Sequence, residues 1–153
     1  RGERVDTSGP KASEILREHG FEIIEEILLP DEMAQIKKEL IRLSDSRQVD
    51  LIITTGGTGL SPRDCTPEAT LAVADRNVPG IAEAIRAGSM TITKRAMLSR
   101  GVSVIRKKTL IINLPGSPKA VKESLEYIIG ALDHGIEIMT GEAGNCATMR
   151  LQN

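Results

Sequence analysis

The sequence predicts an α/β domain with a mostly parallel central sheet, and three observations carry that expectation. The runs Leu51 to Ile53 and Leu110 to Ile112 are continuously apolar, as in strands buried on both faces. Each ends in a Gly- or Pro-rich loop followed by a helix start. Segments with apolar residues at helical spacing alternate with the strands. Ligands in such sheets bind beyond the carboxyl ends of the strands, where neighbouring loops diverge, so two loops predict one site.

At 153 residues the chain suits a single domain, 1–140, followed by a weakly patterned tail, 141–153. A net charge of −1 gives no basic field for nucleic acid. One Tyr, one Phe and no Trp also leave no base-stacking surface, so the core must be aliphatic. Cys65 and Cys146 are too few and too scattered for a disulfide framework or a zinc site. No apolar run approaches the roughly 20 residues of a membrane span, and no signal peptide is visible. The expected setting is the cytoplasm, with neither membrane nor nucleic acid as partner.

The chain opens at Arg1 in polar sequence that reads as the middle of a loop, which suggests that residues precede it. Thr7 or Ser8 caps a first helix with Pro10 near its start. That helix turns Ala12, Ile15, Leu16 and His19 inward and stops at Gly20. Phe21 to Leu29 alternates, with Glu25 breaking parity, and predicts a strand near the sheet edge. Asp31 is placed to cap a helix carrying Met33, Ile36, Leu40 and Leu43 inward, which fades over Ser44 to Gln48. The central strand follows.

Beyond the glycine loop, Thr66 caps a helix with Pro67 in first position, running to about Arg76. A short helix from Ile81 to about Met90 comes next. In Thr91 to Arg100, Met97 and Leu98 read as buried beside an exposed Ser99-Arg100. Val102 to Ile105 and Thr109 to Leu114 form a hairpin around the basic spacer Arg106-Lys107-Lys108. The last helix has one stripe, Val121, Leu125, Ile128, Ile129, Leu132 and Ile136.

The loop after the central strand is Thr55-Gly56-Gly57-Thr58-Gly59-Leu60-Ser61-Pro62-Arg63-Asp64-Cys65. It matches neither the P-loop nor the dinucleotide fingerprint. Its glycines allow close backbone approach to an anion, which favours a phosphate site over a merely tight connection. Arg63 reads either as a phosphate clamp or as a surface ion pair. Asp64 beside an anion reads either as a magnesium ligand or as a helix cap. Asp31 reads more simply as a cap. Asn113-Leu114-Pro115-Gly116-Ser117 is a second candidate, at a strand end before a helix, and Ser99-Arg100 a weaker one. His19 and His134 lack metal-ligand spacing, and Cys65 lacks a partnering base.

Thr55-Gly56-Gly57-Thr58-Gly59, Pro62-Arg63-Asp64 and Thr66-Pro67-Glu68-Ala69-Thr70 together resemble the signature of the molybdopterin-binding family. Asp6-Thr7-Ser8-Gly9-Pro10, Pro30-Asp31-Glu32, Met97-Leu98-Ser99-Arg100 and Leu114-Pro115-Gly116-Ser117-Pro118 follow in family order, to about Met139. The resemblance implies a three-layer α/β/α fold, usually a homotrimer, in molybdenum cofactor biosynthesis. For the family's enzymes it implies adenylylation of molybdopterin with ATP and Mg2+ to give adenylyl-molybdopterin and pyrophosphate. It places Gly56, Gly57, Thr58 and Gly59 on the phosphates. Asp31 and Asp64 fall at acidic positions needed for activity, through magnesium or ligand positioning, with Asp64 the candidate magnesium ligand. Ser99, Asn113, Pro115, Gly116 and Ser117 fall on the pterin and phosphate side. A molybdenum-insertion protein is the implied partner. The family's first strand, ending in a Ser-Asp pair before Arg1-Gly2, is absent from this chain, and Cys65 stands where many relatives carry an aliphatic residue. Two alternatives to an adenylyltransferase stay open: a non-catalytic pterin-binding or scaffold trimer, and a domain that hydrolyses a nucleotide pyrophosphate bond.

Overall fold

A computed structural model of the chain describes residues 7–141. Five α-helices, α1 (Ser8–Glu18), α2 (Met33–Ile41), α3 (Thr66–Val73), α4 (Pro79–Met90) and α5 (Pro118–Thr140), surround one four-stranded sheet. Its strands are β1 (Leu51–Thr55), β2 (Arg76–Asn77), β3 (Ser103–Arg106) and β4 (Thr109–Leu114), in spatial order β1-β4-β3-β2. The α/β class is as expected, but the sheet is mixed: β1 and β4 pair parallel, whereas β4–β3 and β3–β2 pair antiparallel. The cause is local. Lys107 adopts φ 54° and closes a tight hairpin between β3 and β4, and β2 returns against β3.

All six residues of β4 are buried, which makes it the centre of the core. Its parity divides the layers. Leu110, Ile112 and Leu114 face α1, α4 and α5, together with Leu51 and the whole predicted stripe of α5. Ile111 faces α2 and α3 with Ile52, Val104, Ala69 and Val73. Full burial of each Leu or Ile contributes ~1.5–3 kcal/mol, so this shared strand fixes both layers.

Four local expectations are corrected. Phe21 to Leu29 forms no ladder, because alternation alone makes no strand without a partner edge, and no described strand lies beside it. A cavity of about 1800 Å³, lined by Ile23, Leu29, Leu40, Leu51 and Ile53 among others, separates this segment from the outer edge of β1. His19 is exposed, its Nδ1 2.9 Å from the Ile15 carbonyl oxygen, because Phe21 supplies the apolar contact after Gly20 turns the chain at φ 91°. Met97 and Leu98 are exposed whereas Ser99 and Arg100 are half-buried, since a 3-10 turn, Lys94–Leu98, rotates the apolar pair outward. Neither Asp31 nor Thr66 is a helix cap; Glu32 and Cys65 occupy those positions without side-chain capping bonds.

Helix α2 does not fade but continues into a π turn, Arg42–Ser46, in which the Arg47 N–H donates to Arg42 O at 3.0 Å. The turn aims Asp45 at Arg106, whose Nε and Nη2 donate to its carboxylate at 3.0 and 2.8 Å. Arg106 Nη1 also donates to Val73 O at 2.9 Å, so the basic spacer anchors β3 to α3. Glu25 pairs with Arg42 at 2.7 Å and Arg47 at 2.9 Å, which ties segment 21–29 to the end of α2.

Arg42 and Arg106 hold Glu25 and Asp45 below the usual carboxylate range, as Arg100 does Glu68. Groups with depressed folded values contribute stability that is complete above their unfolded values, 4.5 for Glu and 3.8 for Asp, and is lost as pH falls through the folded ones. Urea midpoints are therefore expected to fall as pH is lowered below about 4.5, and Glu25→Gln should flatten part of that decline. An unchanged acid limb in Glu25→Gln would remove the 21–29 tie from the account.

Candidate active site

The site begins with the parallel pair. Thr54 lies beside Asn113 and Thr55 beside Leu114, so the loops after β1 and β4 leave the sheet side by side. The Gly56 N–H donates to Leu114 O at 3.0 Å, and a Cβ on Gly116 would lie 3.3 Å from the Gly56 Cα. The two backbones therefore pass closely at these glycines, and a side chain at Gly116 would crowd Gly56. Gly57 has φ +71°, and a Cβ there would lie 2.2 Å from Thr66 Oγ1. Thr58 is buried, and the loop then passes through Gly59 to an exposed turn at Ser61 to Arg63.

Asp64 closes that turn. Its Oδ2 accepts from the Ser61 N–H at 3.0 Å, and its own N–H donates to Ser61 O at 2.9 Å. Asp31 approaches from the start of α2, with Oδ1 3.8 Å from the Cβ position of Gly57. Freed from capping, its carboxylate points to the glycine loop and not to its own helix. Asp31 and Asp64 line one end of the large cavity with Gly56, Gly57, Gly116 and Ser117. Arg63 lines it too and makes no ion pair with another described residue.

Cys65 sits between these carboxylates, half-buried and free. Burial pushes its thiol up, and the negative charges of Asp31, Glu68 and Asp64 push it further. A protonated thiol is a poor nucleophile. The same field is repulsive to a phosphate unless cations offset it. Among the described residues no three His, Cys, Asp or Glu side chains cluster as a metal site. A cation held here would therefore need ligand oxygens besides the two aspartates, the pattern magnesium adopts with phosphates. The donor set fits that use, because Asp64 spends only one carboxylate oxygen on the turn.

Asn113 is beneath the loops and buried. Its Nδ2 donates to Thr54 Oγ1 at 3.0 Å and Thr70 Oγ1 at 3.1 Å, and its Oδ1 accepts from the Val102 N–H at 3.1 Å. One side chain thus joins β1, α3 and the approach to β3. Asn113→Ala strands these partners and is expected to cost roughly 2–4 kcal/mol, lowering Tm by about 8 °C. A Tm within 2 °C of the parent would refute the bracing role.

Ser99 is half-buried, its Oγ accepting from the Gly101 N–H at 3.3 Å, and Gly101 packs on Asn113. Pro115 and Gly116 lead to Ser117, whose Oγ caps α5 by accepting from the Ala120 N–H at 3.2 Å. Arg100 spends its guanidinium on protein acceptors, so Ser99-Arg100 is not a free anion-binding pair. In the sequence Ser8 reads only as a cap or motif residue; it is buried at the start of α1, where its Oγ donates to Gly116 O. Nor are Thr54 and Thr70 legible there as neighbours of Asn113. Their only signal was the Thr-rich flanks of the loop, because what they bond is set by the fold.

Paired glycine loops at the ends of two parallel strands, with two carboxylates lining the cavity beside them, define an α/β protein whose candidate site lies beyond the carboxyl ends of its strands. Residues 1–134 match the family described as a probable molybdopterin binding domain, and the chain belongs to that family. It is similar to the molybdopterin adenylyltransferase of Escherichia coli K12, 50% identical over 117 residues that cover 74% of this chain and 60% of the relative. The chain thus spans less than two thirds of that relative's length. Against the molybdopterin adenylyltransferase of Helicobacter pylori J99 the identity is 41%, covering 92% of this chain and 81% of the relative. Among solved structures, the molybdopterin biosynthesis enzyme MoaB of Thermus thermophilus superposes with a TM-score of 0.87 at 50% identity, covering 92% of this chain and 89% of that one. The molybdopterin biosynthesis Mog protein of Mycobacterium ulcerans gives 0.87 at 40%, covering 92% and 91%.

Proposed function

We propose that this chain adenylylates molybdopterin in molybdenum cofactor biosynthesis. The observation that carries the reading is the abutment of the two loops at Gly56 and Gly116, with Asp31 beside Gly57. A phosphate from each of two substrates can meet where the loops meet. The terminal phosphate oxygen of the pterin attacks the α-phosphorus of ATP; the new P–O bond forms as the bond to the bridging oxygen breaks and pyrophosphate leaves. Positioning and charge neutralisation dominate such a transfer.

In this reading Gly56, Gly57, Thr58 and Gly59 hold phosphate through the backbone, and the guanidinium of Arg63, unpaired among the described residues, adds a cation. Ser99, Pro115, Gly116 and Ser117 border the pterin side, with Asn113 bracing both loops. Asp64, with Asp31, would hold Mg2+, which supplies charge neutralisation on the phosphates. The exposed apolar residues Met90, Ile92, Met97 and Leu98 support self-association as a homotrimer. The family resemblance further implies a cytoplasmic setting with a molybdenum-insertion protein as the next partner; no helix among the described residues is long and apolar enough to cross a membrane.

Incubating the protein with molybdopterin, magnesium and α-labelled ATP should yield a labelled pterin adduct and pyrophosphate. Pterin binding indifferent to ATP, with no pyrophosphate, would instead support a scaffold. Nucleotide turnover without pterin would support a pyrophosphate hydrolase. Sedimentation should give three times the chain mass, and a monomer would sink the trimer.

A further inference from the structure

Arg100 lies 41 residues beyond Gly59 yet makes more contacts to the glycine loop than any loop side chain does. Its Nε donates to Gly59 O at 2.8 Å and its Nη2 to Asp64 O at 2.9 Å. Its Nη1 meets Glu68 Oε2 at 2.5 Å, and its backbone N–H donates to Thr58 O at 2.8 Å. One residue therefore grips the loop at Thr58, Gly59 and Asp64 and the first turn of α3 at Glu68. The loop's own bonds, Ser61 with Asp64 and the Thr66 N–H with Gly57 O, leave that span open.

Arg100 is itself held. Arg86, on α4, donates through Nη1 to Ser99 O at 3.3 Å and Gly101 O at 2.8 Å, the carbonyls on either side of Arg100. Helix α4 is in turn fixed to the sheet, where Ser103 Oγ accepts from the Ala82 N–H at 3.0 Å and donates to Val78 O at 2.6 Å. Both arginines act mainly on carbonyl oxygens, so a planar fork with several fixed donors is required and charge alone does not suffice.

We propose that Arg100 is a positioning residue that sets the glycine loop in its phosphate-receiving shape, and that Arg86 acts in series through it. What the loop receives rests on the proposed function; the clamp rests on the contacts above. Hydrogen exchange on the whole chain tests it, in the parent and in Arg100→Gln, Arg100→Lys, Arg86→Gln and the Arg86→Gln/Arg100→Gln double variant. In Arg100→Gln, amides 56–64 should exchange about tenfold faster while those of β4 keep parental rates. The KM for ATP should rise about tenfold, with kcat within about threefold. Arg100→Lys should behave like Arg100→Gln, and Arg86→Gln should shift both readouts less, in the same direction. The double variant should be no worse than Arg100→Gln alone, because links in series are not additive.

Unchanged loop exchange in both Arg100 variants would overturn the clamp. Full rescue by lysine would reassign Arg100 to charge alone, and effects that multiply in the double variant would overturn the series. If Arg100→Gln does not fold, Arg100→Lys carries the comparison. A parent that makes no adduct would defeat the proposed activity, whereas the exchange data would still decide the clamp.

Discussion

Asp64→Asn is expected to lower adenylyl transfer about 100-fold or more, a loss of ~2.7 kcal/mol in the transition state, while the fold survives. The amide oxygen of asparagine can replace Oδ2 as acceptor from the Ser61 N–H, so the turn keeps its closing bond. What is lost is the negative charge at the rim of the cavity, the feature that suits the position to a cation shared with phosphate. Steady-state transfer should show the drop in kcat, with Tm within about 2 °C of the parent. Pterin binding measured by fluorescence should be retained. Parental transfer in this variant would remove Asp64 from the mechanism; a large fall in Tm would show that the charge serves the turn.

Gly57→Ala should be almost as damaging, for a steric reason. The residue sits at φ +71°, where a Cβ costs roughly 1–2 kcal/mol, and that Cβ would fall 2.2 Å from Thr66 Oγ1. Thr66 is buried and its N–H donates to Gly57 O at 3.2 Å, so the loop must shift. A displacement of about 1 Å in a positioning loop can cost 100-fold in rate. Gly59→Ala is the control. Its φ is not left-handed, and its Cβ would meet Asp64 Oδ2 at 2.9 Å, a side-chain end that can turn away only by loosening its bond to the Ser61 N–H, so the loss should be smaller than that of Gly57→Ala. Combining Gly57→Ala with Thr66→Ala removes the closest contact and should recover part of the activity. Equal activities for Gly57→Ala and Gly59→Ala would defeat this explanation.

Most of the framework was legible because it is written locally. The β1 and β4 runs and the α5 stripe each declare their burial within a few residues, and the loops after β1 and β4 could be paired from that pattern alone. The rest depends on partners distant in sequence. β2 is only two residues long, and its strand character comes from Ile105 and Val104 across the ladder. Phe21 to Leu29 carries the alternation of a strand but has no described edge to join. Asp31 looked like a cap because caps are local; that it reaches Gly57 depends on how α2 packs. Asn113 could be named as a site residue, but its bonds to Thr54 and Thr70 span 59 and 43 residues. Arg100 could be named only as part of a weak anion-binding pair for the same reason.

The π turn at Arg42–Ser46 makes the length of this segment a fixed quantity. A π turn holds one residue more than the α turn it replaces, and one residue is ~100° of rotation around a helix axis. Deleting Arg42, Leu43 or Ser44 would let the segment rewind as α-helix and swing Asp45 away from Arg106. Inserting one would displace the Val49 N–H from Leu43 O, the contact that aligns the chain just ahead of β1. Length changes that a surface turn would absorb are thus converted here into a register error at the strand that carries the glycine loop. Related chains that gain or lose a residue at this turn should show a compensating change at Arg106, and pairing those two positions across sequences would reveal it.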